Sequence, residues 1–383
     1  MDRKLWIVAA GLGWRTLERS GSTRIAGLSF SPSASVFPAV TCVAQASLRT
    51  GLPPEKTGVV SNGIWFEPFS KPLFWEQSAK LVKGARTWEA RRAAGAKVGM
   101  FFFQQSLGES VDAIVSPAPI HKHGGGMIMA CATKPGDLAG IAEKRFGRFP
   151  LWRYWGPLAS PKIGRKCIDW FETAADVCDL DEAYLYLPTL DYAAQKYGPA
   201  SRRSAAALKE LRSQIERLSE WCAKRGWRIS VTGDYDIAPV SKAPFAPNAV
   251  LREKGFFAVR NVAGMAYPDF HRSSAFAVCD HEFCVVYGEK RKEACEALLA
   301  GGRCILSPDQ PAEPLGGTVL LAEEGSWCAY EWWTDGREAP DFASHVDIHN
   351  KPGFDPKELF FFCRGTVKGT HGRKCAVARA DAG

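Results

Sequence analysis

Five stretches of the chain carry residues whose type and position could do chemistry. Thr41, in Pro38-Ala39-Val40-Thr41-Cys42, stands where a loop meets a helix. Its hydroxyl and the free N–H groups of the first turn there face the same way, an arrangement that stabilises an anion or a nucleophilic alkoxide. The plainer reading of such a threonine is an N-cap. Asn62, in Ser61-Asn62-Gly63, follows on a loop from which its amide can donate to a phosphoryl oxygen; a simple turn residue is the alternative. Asp191 comes just after the apolar run Ala183–Leu187, and Asp234 just after Trp227–Val231. Carboxylates at successive strand ends lie close together, and like charges that close call for a cation between them. His349, in a loop rich in Gly and Pro, suits a metal ligand as well as it suits solvent.

Those side chains need a scaffold that brings distant strand ends together. Leu5–Ala10, Val98–Phe103, Ala183–Leu187 and Trp227–Val231 are short apolar runs bounded by turns, the pattern of buried parallel strands. Between the last two, Leu208, Leu211, Ile215, Leu218 and Trp221 recur at helical spacing, and Gly226 ends the series. Strand, helix, strand predicts an α/β fold with sites at the strand ends. The core is expected over 1–240 and 327–362. Residues 241–326, with a short helix at Arg291–Leu299 and strand-like runs at Ala275–Val278 and Val285–Tyr287, read as a small inserted cap, and 363–383 as a loose basic tail.

The 383 residues suffice for a large core without staples. Lys and Arg number 49 against 41 Asp and Glu, a net +8 too dispersed to predict specific nucleic-acid binding. No run approaches the length of a membrane span, and the first apolar run, broken by Gly11 and Gly13, reads as a strand rather than a signal peptide. The 12 cysteines are scattered and form no C-x-x-C pair, which predicts free structural thiols in a reducing cytoplasm. His121 and His123 before Gly124-Gly125-Gly126 read as a loop near the site entrance. Trp65 and Tyr192 are candidates for an apolar wall, with core packing as the default.

Taken in order, Thr41 with the Thr50-Gly51 turn, Gly58 and Asn62, Asp191 with Gly198-Pro199, Asp234, and His349 with Gly353 and Asp355 resemble the alkaline phosphatase superfamily. The nearest likeness is to its type I phosphodiesterase/nucleotide pyrophosphatase branch, with phosphonoacetate hydrolase as a cousin, and it runs from about Leu5 to Phe360. The resemblance implies a mostly parallel sheet flanked by helices, a cap, and two divalent metals, commonly zinc. It also implies roles: Thr41 as nucleophile and metal ligand, Asn62 as donor to a nonbridging oxygen, Asp191 and His349 on one metal, Asp234 on the other. Three positions depart from the pattern. Ala10 falls near the first-strand Asp, Gln195 replaces the His four residues after Asp191, and Asp234-Tyr235-Asp236 replaces Asp-His-Gly. The resemblance still implies zinc, but amide and phenol are poorer zinc donors than imidazole, so Mg, Mn or Ca is the alternative that an oxygen-rich site would suit. Asp236 and the pair Asp280-His281 are the candidate substitute ligands. The expected function is metal-dependent hydrolysis of a small-molecule phosphoryl ester. The alternative is an altered member that binds a phosphorylated metabolite or a protein partner.

Overall fold

The computed structural model describes residues 2–310, 316–344, 351–363 and 367–381. His349 lies outside the described residues. The first apolar run forms β1 (Arg3–Ala9), and Ser31–Ala34 form β2. Four more strands follow: β3 (Val98–Phe101), β4 (Ala113–Pro117), β5 (Cys131–Lys134) and β6 (Glu182–Leu187). The fourth predicted run is β7 (Trp227–Gly233). With a last strand described below, these make one eight-stranded sheet. At its centre β4, β3, β6, β1 and β7 run parallel in that order. Their residues are nearly all buried, as both faces of a parallel sheet require.

Helices cover the sheet. α1 (Trp14–Arg19) follows β1, and α2 (Thr41–Thr50) carries the first candidate residue. α3 (Ile163–Cys178), α4 (Asp191–Tyr197) and α5 (Arg202–Arg225) come next. Helix α5 buries Leu208, Leu211, Ile215, Leu218 and Trp221 and ends at Gly226, as its spacing predicts. It starts six residues earlier than the apolar series, where Ser201 caps it by accepting from the Ser204 N–H.

A second sheet lies within the stretch expected as a cap. It pairs β8 (Phe276–Asp280), β9 (Phe283–Tyr287), β10 (Cys304–Leu306) and β11 (Thr318–Ala322) antiparallel, in the order β8-β9-β11-β10, with α6 (Arg291–Ala300) beside it. Its core includes Phe276, Val285 and Leu320, and continues into Val40, Cys42, Val43 and Ala46 around α2. The helix bearing Thr41 is thus wedged between the two sheets, anchored by apolar contacts on the side of the smaller one. Cys279 faces Cys284 across the β8–β9 pair, both buried as thiols.

The C-terminal segment differs from the loose tail expected for it. Ala376–Asp381 form β12, which pairs antiparallel with β7 on one side and with β2 on the other. Val377, Ala378 and Ala380 are buried while Arg379 and Asp381 are exposed. The run is short and interrupted by charge, so it carries too little apolar periodicity to stand out in sequence, yet its backbone satisfies two neighbours. His121 and His123 lie on an exposed hairpin, Ile120–His121 paired with Met127–Ile128. Trp65 packs on Phe276, with ring centroids 4.4 Å apart, while Tyr192 packs on Phe360 instead.

Candidate active site

Thr41 is the first residue of α2, and Val40, extended at φ −136°, occupies the capping position. The hydroxyl therefore does not serve as an N-cap. It is buried, and the phenols of Tyr186, at the end of β6, and Tyr235, just beyond β7, both lie near the Thr41 side chain. Of the first-turn N–H groups, which lack intrahelical acceptors, that of Cys42 donates to Asn62 Oδ1 at 3.0 Å. At the other end of α2, Arg49 is wholly buried. Its guanidinium donates to the carbonyls of Gln105 (2.8 Å) and Gln104 (2.6 Å) and lies 3.5 Å from Glu109.

The two carboxylates meet beside this threonine. Asp191 begins α4, and Gln195, one turn later, donates from Nε2 to Asp191 Oδ1 at 2.6 Å. The Tyr235 phenol is also close enough to favour the Asp191 carboxylate. Burial pushes the Asp191 carboxyl up to about 6, against the pull of those two groups. Asp234 is raised well above the ordinary range, first by burial and then by the neighbouring Asp191 charge. Its Oδ1 accepts from the backbone N–H of Gly11 and of Tyr235, both at 2.9 Å. The Gly11 contact exists because the chain leaving β1 passes tightly over β7. A Cβ on Gly233 would lie 2.1 Å from the Leu12 carbonyl oxygen, so only glycine fits there. Beside Ala10 no side-chain donor stands; the adjacent Gly11 N–H partners Asp234 instead.

The remaining candidates fall into two groups. Asp280 is fully buried and engaged: it accepts from the Ser61 hydroxyl (2.9 Å), the Asn62 N–H (2.8 Å) and Asn62 Nδ2 (3.1 Å). It orients Asn62 and leaves the amide one N–H to spare. Asp236 turns away to α1, accepting from Arg15 Nε at 3.0 Å and from Thr16 at 3.3 Å. Both acids are held by neighbouring donors and stand apart from the Asp191–Asp234 pair in their hydrogen bonding. His281, at φ 53°, packs on His371 with centroids 3.8 Å apart and planes tilted by 33°, and His371 in turn lies flat on Tyr235 with ring centroids 3.7 Å apart.

His371 and Tyr186 belong to the site and are absent from the sequence-based set. His371 Nδ1 is 3.0 Å from the Ala39 carbonyl, two residues before Thr41, and burial drives its pKa down to about 3, so the ring is neutral. The pattern Gly369-Thr370-His371-Gly372 ahead of a strand was the available signal, obscured by the surrounding basic residues.

The donor set bears on the metals that the resemblance implies. Among the described residues, no three His, Cys, Asp or Glu side chains come together to hold an ion. A pair of zinc ions does not fit: Ala10 offers nothing, and Gln195 and Tyr235 supply oxygen where zinc prefers nitrogen or sulfur. However, Asp234 Oδ2 and Gln195 Oε1 are buried without a hydrogen-bond partner among the described residues. Two such orphaned acceptors beside Asp191 fit one hard, oxygen-ligated cation.

The chain is similar in fold to phosphonoacetate hydrolase from Sinorhizobium meliloti 1021, solved with phosphonoformate, at 16% identity and a TM-score of 0.59 over 99% of this chain and 89% of that one. It is similar also to murine ectonucleotide pyrophosphatase/phosphodiesterase 5, at 15% identity and a TM-score of 0.54 over 99% and 88%. An inactive variant of the murine protein, one threonine changed to alanine, is solved in complex with AMP; it is 14% identical, with a TM-score of 0.54 over the same shares. No curated protein matches the chain. The family model for type I phosphodiesterase / nucleotide pyrophosphatase matches residues 7–355. With nearly its whole length spanned by that match and its fold shared end to end with these structures, the chain belongs to the type I phosphodiesterase/nucleotide pyrophosphatase family of the alkaline phosphatase superfamily.

Proposed function

We propose that the protein hydrolyses a phosphoric ester, whether a phosphodiester, a pyrophosphate or a related phosphoryl ester, with the Thr41 hydroxyl as nucleophile. The observation that carries this reading is the convergence on Thr41, at the start of a ten-residue helix, of two phenols and a buried carboxylate pair. Family membership and the inactive threonine-to-alanine variant of the murine relative support it.

Thr41 Oγ attacks phosphorus, a P–O bond to Thr41 forms, and the bond to the leaving alcohol breaks. The threonine proton has a route through the Tyr235 hydroxyl to Asp191, ionised above about pH 6. The first-turn N–H groups and the spare N–H of Asn62 face the charge that develops on the phosphoryl oxygens. Water then cleaves the phosphothreonine and releases the acid. A divalent cation, when bound, supplies Lewis-acid stabilisation of phosphoryl oxygens. Asp191, Asp234, Gln195 and Thr41 are the residues that would hold it, a set better suited to Mg, Mn or Ca than to zinc.

Replacing Thr41 with alanine tests the reading. Hydrolysis of bis(4-nitrophenyl) phosphate is expected to fall by roughly a thousandfold or more, with circular dichroism and thermal melting unchanged. Full activity in that variant sinks it. A second reading, a member that binds a phosphorylated metabolite or a protein partner without turnover, is favoured by Ala10, Gln195 and Tyr235 and by the internal satisfaction of Asp191. Metal analysis after metal-replete purification separates the two: bound divalent metal supports the hydrolase, none supports the binder.

A further inference from the structure

A cavity of about 350 Å³ adjoins the site and takes no part in the chemistry above. It is enclosed by the loop before α3, the start of α4 and the start of α5. Tyr192, the residue after Asp191, lines it on the side of the site, and Tyr154 and Phe360 complete an aromatic floor. Three cations border the opening: Lys162, Lys196 and Arg203. Lys196 and Arg203 form no ion pair among the described residues, and Lys162 acts on Glu210 only beyond ion-pair distance. Lys196 and Arg203 both lie over the Tyr197 ring, at 5.5 and 5.0 Å from its centroid. The one acid in the lining, Glu210, is already gripped by Arg165 through two bonds of 2.6 and 2.7 Å and by Gln214 at 3.0 Å.

Three bases against one acid, itself gripped by Arg165, leave this mouth with excess positive charge over an apolar, aromatic interior. The volume falls within the range of small-molecule pockets. We propose that the cavity holds the part of the substrate beyond the scissile phosphorus, and that this part is an organic group, planar enough to lie on Tyr192 and Phe360, bearing a second anion. A carboxylate and a phosphate would both satisfy Lys162, Lys196 and Arg203. The proposal rests on the hydrolase reading for its assignment to substrate, yet its binding claim is measurable without turnover.

The test uses Thr41→Ala protein and calorimetric titration with three diesters: bis(4-nitrophenyl) phosphate, its analogue with one ring bearing a carboxylate, and its analogue with one ring bearing a phosphate. At least one charged diester is expected to bind tenfold or more tightly than the uncharged one. Adding Lys196→Ala and Arg203→Ala, one partly exposed and one exposed position outside the catalytic set, is expected to abolish that preference and leave bis(4-nitrophenyl) phosphate binding unchanged. Which charged diester gains identifies the anion. Equal affinity for all three, or a preference that survives the double substitution, overturns the proposal. Charge preference without turnover in the wild-type protein would remove the hydrolase reading and leave this site standing. Turnover with no charge preference would do the reverse.

Discussion

Thr41, Gln195 and Tyr235 show how single side chains set what this centre can hold. Gln195 spends its amide N–H on Asp191 and leaves Oε1 unpartnered, so the position offers oxygen. Gln195→His replaces that oxygen with an imidazole nitrogen. Zinc affinity, read by competition with a chromogenic chelator, is expected to rise by roughly 10–100-fold; an unchanged affinity would show that Gln195 lies outside any cation site. The residue types at Thr41, Asn62, Asp191 and Asp234 were legible because each follows an apolar run or opens a helix. Asp280 was read as a candidate substitute ligand, not as the partner of Asn62, since a contact spanning 218 residues leaves no mark on local spacing.

At the scale of elements, α2 owes its position to both of its ends. Its first turn is anchored by Asn62 and the smaller sheet's core, its last by the buried guanidinium of Arg49. Arg49 is held against two carbonyls and shares Glu109 with Arg86, which lies 2.9 Å from that acid. Arg49→Ala leaves those carbonyls without donors in a buried place, and is expected to cost roughly 3–5 kcal/mol, measured by urea unfolding; a loss below 1 kcal/mol would count against it. The parallel strands and α5 were readable from apolar runs and helical spacing. Strand β12 was not, because its pairing with β7 and β2 is decided by the vacancy beside β7 rather than by its own alternation. His371 was missed for the same reason: its value comes from where that strand leads it.

Across the molecule, buried acids tie stability to pH. Glu358 accepts from the buried Lys351 at 2.7 Å and from the Tyr330 hydroxyl. Burial nevertheless pushes its pKa up, from 4.5 to about 7. The folded protein then holds this proton more tightly than the unfolded chain does. The resulting stability is fully present below pH 4.5 and is lost as pH rises through about 7. Glu358→Gln cannot titrate. Its melting temperature relative to wild type should therefore climb between pH 5 and 8, by the equivalent of ~1–3 kcal/mol at about 1.4 kcal/mol per pKa unit. A constant offset across that range would refute the assignment. The net +8 acquires a location here as well, since part of the excess stands unpaired at the cavity mouth.

Because β12 fills the gap between β7 and β2, the order of synthesis matters. Once β7 and the residues after it have left the ribosome, Thr41, Asp191 and Asp234 have all emerged, but β7 still has an open edge and β2 has no neighbour in the sheet. Nearly 150 residues later the closing strand arrives, bringing His371 just ahead of it. Until then the nascent chain presents an unpaired strand edge, the kind that recruits other chains. The centre is thus completed only by elements translated long after its first residues, and a chain cut before Ala376 would display most of its candidate catalytic residues in a sheet that cannot close.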